Sequence, residues 1–155
     1  MLLPQRKYLP HDVPPWVEDG AVYFITINCS KRGTNQLCRT PIAEELRASI
    51  QFRQQKLEWW VPLVLLMPDH LHALISFSGA VRMKDSISNW KRFTARKHGI
   101  SWQDGFFDHR IRDVNSLVEK EQYIRMNPIR QGLCNTPEEW AHTWSAKDFE
   151  GKDNR

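Results

Sequence analysis

The apolar positions of the chain follow two periods, and the alternation between them predicts the elements. Residues 21–29, AVYFITINC, are rich in β-branched and aromatic residues. Gly20 and the polar run SKRGTN bound them, which predicts a central strand. In residues 41–55, Thr40 and Pro41 give the N-cap and first-turn pattern of a helix. Ile42, Leu46 and Ile50 then recur at helical spacing. Residues 57–67, LEWWVPLVLLM, and 70–77, HLHALISF, flank the Pro68-Asp69 turn signal and predict a β-hairpin, with Pro62 marking an edge or a bulge. Residues 83–98 predict a helix with Ile87, Trp90 and Phe93/Thr94 inward, ended by Gly99. Residues 101–113 read as a loop and a short strand, and residues 114–126 as a helix stopped at Pro128.

The order β-α-β-β-α-β-α defines an α+β chain. Its first six elements fit the ferredoxin-like split βαβ arrangement, a four-stranded antiparallel sheet with two helices on one face. A C-terminal helix is left over. The expected organisation is a single domain over 21–145. Before it lies a proline-rich extension over 1–20, with Pro4, Pro10, Pro14 and Pro15. After it comes a polar tail over 146–155 that frays.

Composition narrows the classes. At 155 residues and 26% charged, the chain reads as an ordinary soluble domain. No run approaches the ~20 apolar residues of a membrane span, and the N-terminus lacks the apolar core of a signal peptide. A cytoplasmic protein is expected. Cys29, Cys38 and Cys134 are odd in number and widely spaced, which argues against a disulfide framework or a zinc finger. The net charge is +4. Within 82–98, Arg82, Lys84, Lys91, Arg92, Arg96 and Lys97 face only Asp85. Such a block on a near-neutral body suits a polyanion, and it equally suits a solvated helix face.

The candidate chemistry begins in MPDHLHALISF, residues 67–77. Side chains on a strand alternate, so His70 and His72 share one face while Leu71, Ala73 and Ile75 share the other. The two imidazoles would stand side by side on the open face of the sheet, near enough to reach one metal ion. On its own the pair reads first as surface histidines, because nothing in it supplies a third ligand or a nucleophile. The helix over 114–127 adds to it. Its apolar stripe is Val114, Leu117, Val118 and Ile124, interrupted by Glu121 and Arg125. Tyr123 lies on the polar side with Ser116 and Lys120, and Asn127 follows one turn later. A divalent cation on His70, His72 and Asn127 would polarise a phosphoryl oxygen, and Tyr123 would be the covalent nucleophile. Two imidazoles and a carboxamide suit Mg²⁺ or Mn²⁺; zinc more usually brings a thiolate or a third imidazole.

Together, MPDHLHALISF and EQYIRMNPIRQGL resemble the IS200/IS605-type HUH single-tyrosine transposases, and more closely the REP-associated tyrosine transposases. The likeness spans about residues 10–135. It implies cleavage of single-stranded DNA beside a hairpin, with Tyr123 joined to the 5′-phosphate and a free 3′-hydroxyl left to reseal. The metal ligands it implies are His70, His72 and Asn127. The segment WQDGFFDHRIRD also resembles the family and offers Asp108 and His109 to orient a ligand; a strand-end turn with Arg112 is the plainer reading. Asp69 reads as a turn residue. Hairpin phosphates would meet Lys84, Lys91, Arg92, Arg96, Lys97, Lys120 and Arg130. Trp16, Trp59, Trp60 and Trp102 are candidates for stacking on bases. The expected partner is hairpin-bearing, REP-like single-stranded DNA, with no membrane. Monomer and homodimer both stay open. The rival readings are a non-catalytic hairpin binder, on the RRM pattern or domesticated, and a metal-dependent nuclease that activates water.

Overall fold

The computed structural model describes residues 21–150. The readings made for 1–20, Trp16 among them, and for 151–155 lie outside the described residues. The elements run β1 (Val22–Asn28), α1 (Ile42–Gln55), β2 (Trp59–Met67), β3 (His70–Phe77), α2 (Met83–His98), β4 (Phe107–Ile111), α3 (Val114–Arg130) and β5 (Thr143–Ser145). A single-turn 3-10 helix, Pro137–Glu139, precedes β5 and another, Ala146–Phe149, follows it. All strand pairings are antiparallel, in the order β4-β1-β3-β2-β5. The first four strands have the expected ferredoxin-like order. The fifth corrects the four-stranded expectation. Three residues are too few to show an alternation in sequence, and β5 exists because Leu63–Leu65 has an open edge for it to pair with.

Each face of the sheet carries its own core. Under α1 and α2 lie Ile25, Ile27, Val64, Leu71, Ala73 and Ile75, with Leu46, Ile50, Ile87 and Trp90 coming down from the helices. On the other face Val22, Leu63, Leu65, Met67, Leu74 and Ile111 pack beneath Leu117 and Ile124 of α3. The face of His70 and His72 is therefore covered. A split βαβ sheet leaves one side bare, and a C-terminal helix with an apolar edge buries both surfaces at once.

Local signals were honoured unevenly. Gly99 ends α2 at φ +72°, the left-handed conformation that glycine adopts without penalty. The bulge expected at Pro62 is present, as a register shift between Trp60 and Leu63. Thr40 does not cap α1; Pro41 holds the N-cap position with no side-chain bond. Phe93 is 41% exposed and Thr94 takes the inward place. Pro128 does not stop α3 but lies inside it, near its end. A proline removes one amide there and leaves only the final turn to complete. Nor does the segment after 145 fray as far as residue 149: Ala146 and Phe149 are buried, and Arg47 and Gln51 of α1 donate to the Asp148 and Phe149 carbonyls.

Phe149→Ala should therefore cost about 3–5 kcal/mol of folding stability, as for other fully buried phenylalanines. Urea unfolding of the two proteins measures it, and a loss near zero would return this segment to a frayed tail.

Candidate functional site

Strand β3 sets the histidines. His70 pairs with Asn28 and Met67, and His72 with Thr26 and Leu65, so both sit mid-sheet on the α3 face. Their ring centroids are 4.9 Å apart. His70 Nδ1 lies 2.9 Å from Asp69 Oδ1. An ionised carboxylate only accepts, so Nδ1 carries the hydrogen and Nε2 keeps a free lone pair. Asp69 is itself held: its Oδ2 accepts from the Gly33 amide at 2.7 Å and from Arg32 Nε at 3.1 Å. Arg32 also donates to Asn28 Oδ1 at 2.7 Å. His72 Nδ1 is 2.9 Å from Thr26 Oγ1.

Burial pushes both imidazoles toward the neutral form. For His70, desolvation lowers the pKa against the opposing pull of Asp69. For His72, desolvation together with the charges of His70, Arg130 and Arg32 brings it down to about 3. Burial alone would raise the Asp69 carboxyl, but the Gly33 amide, His70 and Arg32 outweigh it and hold it below its ordinary value.

Helix α3 brings the other groups. Tyr123, Asn127 and Arg130 recur at i, i+4 and i+7, one helical face. Asn127 is buried, with Nδ2 3.3 Å from His70 Nε2. Tyr123 is 45% exposed, its ring edge-on to His72 at 5.8 Å and to Phe24 at 5.9 Å between centroids. The Arg130 guanidinium carbon is 4.2 Å from the Tyr123 ring centre, and Arg130 Nη2 donates to the Tyr123 carbonyl at 2.8 Å. Lys120 Nζ lies 5.8 Å from the same ring. One chain thus unites a phenol, two neutral imidazoles, a carboxamide and two cations. Among the described residues no three His, Cys, Asp or Glu cluster as a metal site; the carboxamide beside His70 is that of Asn127.

Other sequence candidates fall elsewhere. Asp108 pairs with Ile25, on the face away from the histidines, so it does not orient either of them. His109 pairs with Phe24 on the histidine face, yet it is exposed. The groups behind the imidazoles are Asp69 and Thr26, which the sequence reading took for a turn residue and passed over. The adjacency of Asp69 to His70 was the one available signal. Lys84, Arg92, Arg96 and Lys97 are exposed on α2, across the sheet from Tyr123. Lys91 is engaged, donating to the Gln103 and Gly105 carbonyls. Trp59 and Trp60 are buried and offer no face to a base, and Trp102 is partly buried against Trp90.

The fold and this constellation define an α+β protein with a tyrosine presented to paired histidines. No family model matches the chain. A REP-associated tyrosine transposase of Escherichia coli K12 is 25% identical over 138 residues, covering 83% of this chain and 79% of the relative. A Haemophilus influenzae protein provisionally given the same name is 25% identical over 151 residues, covering 86% and 84%. The resemblance to REP-associated tyrosine transposases extends across most of the chain. A solved REP-associated tyrosine transposase bound to a REP hairpin shares the fold at TM-score 0.72 and 23% identity, covering 80% of this chain and 76% of that one. A Deinococcus radiodurans protein provisionally described as a transposase matches at TM-score 0.52 and 16% identity, covering 75% and 93%.

The buried imidazole has a pH consequence. A His72 that titrates near 3 when folded and near 6.5 when unfolded binds its proton more readily unfolded. Its contribution to stability is complete above about pH 6.5 and falls by about 1.4 kcal/mol per unit as pH drops toward 3. NMR of the metal-free protein should show His72 ring signals unmoved from pH 8 to 5; a midpoint near 6.5 would contradict its burial.

Proposed function

We propose that the protein is a transposase-like DNA strand transferase that cuts single-stranded DNA beside REP-like hairpins through a 5′-phosphotyrosine intermediate. The observation that carries this is the approach of Tyr123 to His72 within a single chain. The names of the relatives and the hairpin in the solved neighbour support the DNA target.

The Tyr123 oxygen attacks the scissile phosphorus in line with the 3′-oxygen, which leaves as a hydroxyl. One phosphodiester is exchanged for another, so no nucleotide hydrolysis is needed and a 3′-hydroxyl can reverse the step. Arg130 and Lys120, beside the ring, supply positive charge for the non-bridging oxygens. A Mg²⁺ or Mn²⁺ ion fits the donor set: both imidazoles are held neutral, and the unprotonated His70 Nε2 faces the amide of buried Asn127. His70, His72 and Asn127, turned to present its oxygen, would hold the ion, which supplies Lewis acidity to the phosphoryl oxygen. Asp69 and Thr26 keep the rings aimed. Exposed Lys84, Arg92, Arg96 and Lys97 form a separate cationic face that can meet hairpin phosphates beyond the site. Such a reaction places the protein with cellular DNA, in the cytoplasm, and no helix among the described residues is long and apolar enough to cross a membrane.

Tyr123→Phe removes one oxygen and keeps the ring packing. With hairpin-bearing single-stranded DNA and Mn²⁺, the wild type should yield a protein–DNA adduct on a denaturing gel and Tyr123→Phe should yield neither adduct nor cleavage. Cleavage by Tyr123→Phe without an adduct would identify an activated-water nuclease instead; no cleavage by either protein would leave a hairpin binder. His70→Ala and His72→Ala should each abolish cleavage while hairpin affinity survives, since affinity rests mainly on phosphate contacts. EDTA should stop the wild type.

A further inference from the structure

Strand β4 is an outer edge of the sheet, and residues 107–110 on it are exposed. Its pairing with β1 decides where they point. Phe107 is opposite Thr26, which is opposite His72; His109 is opposite Phe24. Directly opposed residues share a face. Phe107 and His109 therefore stand on the histidine side, and Asp108 and Arg110 on the α1/α2 side. Phe107 is 66% exposed and belongs to neither core. Phe107 stands exposed on an edge strand, on the face that carries the histidines, which leaves its ring open to a ligand.

Further in on the same face stand more rings. Phe24 stacks on His72 at 5.5 Å with the planes 17° apart, and it meets Tyr123 edge-on. Lys120 Nζ stands 5.0 Å over the Phe24 ring. Two strand spacings separate Phe107 from His72, about 10 Å, which is the rise of about three stacked nucleotides. Exposed aromatic rings on the face that carries Phe24, Lys120 and Tyr123 make a platform for unpaired bases.

We infer that β4 is a base-stacking platform: Phe107, with His109 beside it, receives the unpaired bases next to the phosphate that Tyr123 attacks. The location of that phosphate rests on the strand-transfer reading. The ligand class is single-stranded DNA, held by its π faces with little regard to base identity. This also gives the exposed His109 a role.

Two probes test it by fluorescence anisotropy in EDTA: a hairpin with single-stranded extensions on both sides, and the same hairpin trimmed blunt. Phe107→Ala should weaken the extended probe by about 5- to 150-fold and the trimmed probe by less than about twofold. Phe107→Trp should restore wild-type binding, and 2-aminopurine in the extension should be quenched by the wild type and not by Phe107→Ala. Equal losses on both probes, or no loss on the extended one, would overturn the platform. An adduct assay with Mn²⁺ runs alongside. Should the wild type form the adduct while Phe107→Ala binds the extension normally, only the platform fails. Should no adduct form while extension binding still depends on Phe107, the platform stands and the strand-transfer reading fails.

Discussion

Helix α3 lies across the sheet because Leu117 and Ile124 must be buried and the β3 face opposite α1 and α2 is the surface that needs covering. Each such aliphatic side chain contributes about 1.5–3 kcal/mol by leaving water. That packing fixes everything the site needs from the helix. Tyr123 precedes Ile124, about 100° around the helix, so its ring leans on the rim of the apolar seam against Phe24 and His72 while its edge stays wet. Asn127 is three residues beyond Ile124 and points down the seam to His70. Tyr123 is placed by hydrophobic contacts of its neighbours more than by bonds of its own.

Beneath the helix, the sheet holds two imidazoles in a setting that opposes their protonation. Desolvation sets the direction for both. The orientation of His70 comes from Asp69, and that of Asp69 from Gly33 and Arg32, a chain of bonds from a surface loop to the ring. Cations gather on the outer side of the tyrosine, where Arg130 and Lys120 lie over aromatic faces. The inner side is neutral and lone-pair rich, and the outer side is positive. This asymmetry suits the proposed strand transfer, with a phosphodiester held between a floor of lone pairs and a basic wall.

The sheet also divides labour. Its α1/α2 side is a large apolar core with tryptophans sealed inside it, and the basic residues of α2 decorate the outside. The α3 side is a smaller core that opens, toward β4, into exposed rings and Tyr123. Trp59 and Trp102, offered by the sequence as base-stacking groups, were drawn into or against the first core because large aromatic surface is most stabilising when buried. On the histidine face an exposed phenylalanine, Phe107, stands outside, one that the sequence did not single out.

What the sequence determined by itself was local. The two-residue period of β3 put His70 and His72 on one side and Leu71, Ala73 and Ile75 on the other, because the pleat of a strand needs no partner to alternate. The 3.6-residue period set Tyr123 and Asn127 one turn apart for the same reason, and the order of elements was enough to give the ferredoxin-like sheet. Tertiary structure decided what depends on distant pairs. Asn127 meets His70 across 57 residues and Thr26 meets His72 across 46. The covering of the histidine face by α3, the three-residue strand β5 and the burial of Phe149 likewise have no local signature. A turn residue such as Asp69 becomes a partner of His70 only when Arg32 and Gly33, 37 and 36 residues away, fold back to hold its other oxygen. Periodicity is written residue by residue, but which faces meet is settled only when the whole chain has buried its apolar surface.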